Sequence, residues 1–60
     1  MNYLKKNNAI FASCKQSEVG CCRIYVVERD GEYLTCTEDE LYEEHDQDQV
    51  IGSAFNGSWE

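Results

Sequence analysis

Cys22-Arg23-Ile24-Tyr25-Val26-Val27-Glu28-Arg29-Asp30-Gly31-Glu32-Tyr33-Leu34-Thr35-Cys36 sets two runs rich in β-branched and aromatic residues on either side of Asp30-Gly31. Such runs flanking a turn dipeptide read as an antiparallel hairpin. Two registers compete, and since side chains alternate, a slip of one residue exchanges the two faces. A two-residue Asp-Gly turn pairs Val27 with Leu34 and Tyr25 with Cys36. A three-residue Arg29-Asp30-Gly31 loop, with Gly31 left-handed, pairs Val26 with Leu34 and Ile24 with Cys36. The second gathers Cys22, Ile24, Val26, Leu34 and Cys36 on one face, opposite Arg23, Tyr25, Val27, Tyr33 and Thr35, and is the expected register for that reason.

Working outward, Thr37-Glu38-Asp39-Glu40 fits a capping box, in which the Thr hydroxyl takes a first-turn backbone donor and Glu40 reaches back. A helix is expected from there to about His45, its acids at the positive end of the dipole and His45 near the negative end. Only Leu41, Tyr42 and His45 are placed to face inward, and eight or nine residues need tertiary support to stay helical. Asp46-Gln47-Asp48-Gln49 reads as a turn, residues 50–55 as a last short strand, and Asn56-Gly57-Ser58 as its end. Before Cys22 the signal is weaker. Asn7-Asn8 fits a turn between two short strands, or the opening is a frayed helix; the favoured reading is a strand at residues 10–14 and a loop at 15–20. The expected fold is a single α+β domain, residues 1–60: a small antiparallel sheet of three to four short strands with one short acidic helix, in the order β-β-β-α-β.

Sixty residues bury only about 60% of the surface an unfolded chain exposes, so the core must be thin. Charge is distributed unevenly. Twelve Asp and Glu against five Lys and Arg give a net charge of −7. Residues 1–27 hold Lys5, Lys6, Lys15 and Arg23 against Glu18, a balance of +3; residues 28–60 hold eleven acids against Arg29, a balance of −10. A phosphate backbone or anionic membrane repels such a half-chain, whereas a basic protein surface attracts it. Residues 9–12, the apolar run near the N-terminus, are too few for the roughly 7 to 15 residues of a signal-peptide core, and no stretch nears the roughly 18 apolar residues of a membrane span. A soluble, cytoplasmic protein is expected.

Cys14, Cys21, Cys22 and Cys36 with His45 are enough ligands for tetrahedral zinc, but none of the cysteines forms the Cys-x2-Cys knuckle of zinc ribbons and fingers. Cys14, Cys22 and Cys36 are read as small buried hydrophobes and Cys21 as the outward, reactive one. No metal or cofactor is expected. The carboxylates run along a solvated helix face instead of lining a pocket, His45 has no nucleophile placed beside it, and the run lacks both the glycine of a calcium loop and any phosphate-binding glycine loop, so an enzyme is not expected.

What remains is the acidic run, seven carboxylates within residues 37–48: Glu38, Asp39, Glu40, Glu43, Glu44, Asp46 and Asp48, with Tyr42 among them. Like charges at i and i+4, Glu40 with Glu44 and Asp39 with Glu43, cost a few tenths of a kcal/mol each, a spacing helix stability alone does not select. Tyr25, Tyr33 and Trp59 are further aromatic anchors for an interface. The expected function is a stoichiometric inhibitor or adaptor presenting these eight residues to a basic surface of a nucleic-acid-processing protein. In size and charge the chain resembles phage anti-defence inhibitors and DNA mimics. Two other classes stay open: a structural protein, such as a homodimer, assembling through exposed strand edges, and a cysteine-based metal or redox domain. Sizing the protein and titrating its thiols separates them.

Overall fold

A computed structural model describes residues 2–60. In it β2 (Ile24–Arg29) and β3 (Glu32–Thr37) meet at Asp30-Gly31, whose φ angles are 52° and 81°. Two successive left-handed residues make a two-residue type I′ turn, whose twist matches that of the strands it joins. Arg29 therefore pairs with Glu32, Val27 with Leu34 and Tyr25 with Cys36. The expected three-residue loop is overturned. That expectation assumed one buried face on the hairpin, and both faces are covered: Val26 and Val27, pointing opposite ways, are each 0% exposed.

The sheet is antiparallel and five-stranded, ordered β1-β3-β2-β4-β5, with β1 at Asn2–Tyr3, β4 at Gln49–Phe55 and β5 at Ser58–Trp59. The second hairpin repeats the chemistry of the first. Asn56 and Gly57 have φ of 52° and 84°, so Phe55 pairs with Ser58, and the segment expected to end the last strand instead turns it back. Pairing between β2 and β4 slips by one residue between Val26, opposite Gly52, and Val27, opposite Val50. Ile51 is the extra residue, a β-bulge that bends β4. Paired residues share a face, so Ile24, Val26, Tyr33, Thr35, Ala54 and Trp59 lie on one side, with Tyr25, Val27, Leu34 and Cys36 on the other.

The α+β class holds, but the element order is β-α-β-β-α-β-β, with helices α1 (Lys6–Gly20) and α2 (Glu38–Glu44). The strand expected at residues 10–14 lies inside α1, and the loop expected at 15–20 is its second half. Its buried stripe is Ala9, Ser13 and Ser17, spaced by four. Small side chains let the helix axis approach the sheet closely, and each hydroxyl is satisfied one turn back: Ser13 Oγ donates to the Ile10 carbonyl at 2.7 Å and Ser17 Oγ to that of Cys14 at 2.9 Å. Ser17 Oγ also accepts the Gly57 backbone N–H at 3.0 Å, tying α1 to the second hairpin turn. Cys21, left-handed at φ 53°, ends the helix.

Candidate functional site

α2 begins where the sequence places it. Thr37 is the N-cap, its backbone N–H donates to Glu40 Oε1 at 2.9 Å, and its hydroxyl oxygen accepts from the Glu40 N–H at 3.4 Å. Both halves of the capping box are formed. The helix has seven residues, none fully buried, and follows β3 directly. Glu40, Glu44 and Asp48 are all close enough to act on the Cys36 thiol, so it lies on the Cys36 side of the sheet. Burial pushes the Cys36 thiol up to about 11, with Glu40, Asp48 and Glu44 adding to it. Leu41 is half-buried, whereas Tyr42, expected to be able to face inward, is 69% exposed.

The carboxylates divide into two sets. Glu38, Asp39, Glu43, Glu44 and Asp46 are exposed on α2 and the turn after it, with Tyr42 among them. Glu40 and Asp48 have structural partners. Glu40 is held below the usual carboxylate range by the Thr37 backbone N–H and then its hydroxyl. Asp48, its side chain 11% exposed, accepts from Arg29 Nε at 3.1 Å and Nη2 at 2.9 Å, and lies 2.8 Å from His45 Nδ1. Arg29, then His45, depress its pKa. Arg29 Nη2 also donates to the Glu44 carbonyl at 2.9 Å, and the His45 N–H to that of Leu41 at 3.1 Å, so both cap the C-terminal end of α2.

Arg29 is thus a part of the site that sequence reasoning missed, a cation from the first hairpin that binds Asp48 at one end of the acidic run. Its signal was its isolation among eleven acids. Tyr25 lies on the α2 side of the sheet, whereas Tyr33 and Trp59 lie on the opposite side, away from the acids. All four cysteines are free thiols: Cys36 is buried, Cys14 and Cys22 are half-buried and Cys21 is exposed. Among the described residues, no group of three His, Cys, Asp or Glu is arranged to hold a metal ion, and no helix is long and apolar enough to cross a membrane. The chain matches no protein family, no curated protein and no solved structure.

Proposed function

We propose that this chain is a non-enzymatic, cytoplasmic binding protein whose α2 surface docks on a basic surface of a nucleic-acid-processing protein, acting as an inhibitor or adaptor. One observation carries the reading: Glu38, Asp39, Glu43, Glu44 and Asp46 are all exposed on α2 and the turn after it, around an exposed Tyr42, while the neighbouring Arg29 is bound to Asp48. A field of one sign speeds association with a field of the other, and an aromatic side chain at its centre supplies the desolvated anchor that charge alone lacks. The capping box fixes α2 before any partner arrives, which lowers the ordering cost of binding.

The test is the triple variant E43Q/E44Q/D46N, which keeps shape and removes three charges. Its thermal midpoint should hold or rise, because like charges at helical spacing are relieved. Its affinity for the basic protein that the wild type retains from host lysate should fall, and the wild-type affinity should itself fall between 0.1 and 1 M salt, where the Debye length shrinks from about 10 to about 3 Å. Undiminished affinity in the variant would reduce the acids to a solubilising surface.

A further inference from the structure

The outer surface of α1 is the reverse of what a surface helix usually presents. Its buried stripe is Ala9, Ser13 and Ser17, while Phe11 is 68% and Val19 85% exposed, and Leu4, just ahead of the helix, is 78% exposed. Lys15 stands one turn from each of Phe11 and Val19, Lys5 and Lys6 lie at the same end as Leu4, and Glu18 is the helix's single acid. The result is a basic and apolar face on a protein of net charge −7. Exposed apolar side chains rimmed by charge mark contact surfaces. A two-fold pairing of α1 with α1 centred on this face would set Lys15 against its own copy, midway between Phe11 and Val19, which charge disfavours.

α2 and the turn after it offer what that face lacks, exposed carboxylates at Glu38, Asp39, Glu43, Glu44 and Asp46 around an exposed Tyr42. Glu40, Glu44 and Asp48 all act on the buried Cys36 thiol, which puts α2 on the Cys36 side of the sheet. Ile24 and Val26 on the other side are buried and α1 packs across β2, β3 and β4, so α1 covers that side and the two surfaces point in opposite directions. We propose that the Phe11, Lys15 and Val19 face of α1 docks on the acidic α2 face of a second copy of this chain, giving head-to-tail association. This goes beyond binding of a foreign partner and does not rest on it, although both would occupy α2 and so compete. A contact between two different patches does not close at a dimer unless geometry forces a ring. Range decides how salt acts. At 0.01 M the Debye length, about 30 Å, exceeds the molecule's 27 Å longest dimension, and the whole −7 charge of each copy repels the other. At 0.1 M, where it is about 10 Å, mainly the contact pairs are felt.

Sedimentation velocity across a concentration series tests this with two blocked variants, F11E/K15E on α1 and E43Q/E44Q/D46N on α2. Both alter exposed side chains, and circular dichroism should report an unchanged fold for each. The wild type should grow beyond a dimer as concentration rises, most strongly near 0.1 M salt, and weaken about tenfold or more by 1 M. Each variant alone should stay monomeric. An equimolar mixture of the two should form a dimer and stop there, since each retains the patch the other lacks. A mixture no heavier than its components, self-association surviving in F11E/K15E, or a wild type monomeric throughout would each overturn the proposal. F11E/K15E keeps α2 intact and removes the competing self-contact, so it should bind a basic partner at least as tightly as wild type, and failure here and failure of the partner reading are told apart.

Discussion

Gly52→Ala is the sharpest test of how the sheet is packed. A Cβ at position 52 would lie 2.5 Å from Cζ2 of the Trp59 ring, 3.0 Å from Cη2 and 3.3 Å from Cε2. Gly52 pairs with Val26, and Trp59 with Ala54, so the two are diagonal neighbours on one face and the indole lies across the gap the glycine leaves. Ordinary contact begins near 3.4 Å, which leaves 0.9 Å to be found by moving a rigid ring or the backbone of β4. Overpacking of this kind costs about 1 to 3 kcal/mol, offset by the roughly 0.5 to 1 kcal/mol that alanine gains over glycine in a strand. In a 60-residue domain each kcal/mol moves the thermal midpoint by about 4 to 8 °C.

Trp59 is the chain's single tryptophan, so its fluorescence reports on the same contact. Gly52→Ala should lower the midpoint and shift the emission of the half-buried indole toward that of an exposed one. The decisive comparison is the double variant with Trp59→Ala. Without the ring, alanine at 52 meets no clash and should be neutral or mildly stabilising relative to Trp59→Ala alone, a coupling a double-mutant cycle reads directly. Equal destabilisation by Gly52→Ala in both backgrounds, or an unmoved emission spectrum, would refute the packing.

Three further outcomes follow from the same geometry. Val26→Ala and Val27→Ala should each cost roughly 2 to 3 kcal/mol by denaturant melts, because both side chains are fully buried on opposite faces; a mild Val27→Ala would mean the α2 side of the sheet is open. Thr37→Ala should cost about 1 kcal/mol through the lost cap, and Thr35→Ala less; equal effects would deny Thr37 its role. The folded-state pKa values of Glu40 and Asp48 are depressed and that of Cys36 is raised to about 11. The carboxylate contributions should thus be lost as pH falls below the ordinary carboxylate range, and the thiol contribution as pH rises from about 9 to about 11. A stability profile flat at the alkaline end in wild type and Cys36→Ala alike would remove Cys36 from the core.

Short-range signals in this sequence were legible and burial patterns were not. Thr37-x-x-Glu40 carries its capping bonds within four residues, and α2 starts at it. Asp30-Gly31 carried an equally local instruction, two left-handed residues in succession, yet its register was set aside in favour of an arrangement with one apolar face. The face argument failed because β2 is central and covered on both sides, so Val26 and Val27 do not have to be sorted. Asn56-Gly57 has the same chemistry and makes the same turn, but with two residues of β5 after it there was no second strand to recognise. α1 was weighed only as a frayed helix at the opening and set aside for a strand at residues 10–14. A reading keyed to large apolar residues at helical spacing cannot find a helix that buries Ala9, Ser13 and Ser17 and exposes Phe11 and Val19.

The acidic site was legible as charge and illegible as geometry, because what orders it comes from 15 and 19 residues away, where Arg29 meets the Glu44 carbonyl and Asp48. A seven-residue helix with no fully buried side chain has too little core and too few turns to persist alone. It is held at its start by Glu40 closing the capping box and at its end by Asp48, which binds the Arg29 and His45 that cap its last carbonyls. Two of the seven carboxylates therefore hold the helix in place, and the other five are free to repel one another on its surface without unfolding it. That division explains how a spacing of charge unfavourable for an isolated helix persists here. It also separates the residues to be altered in testing function, Glu43, Glu44 and Asp46, from Glu40 and Asp48, whose loss would disturb the fold that presents them.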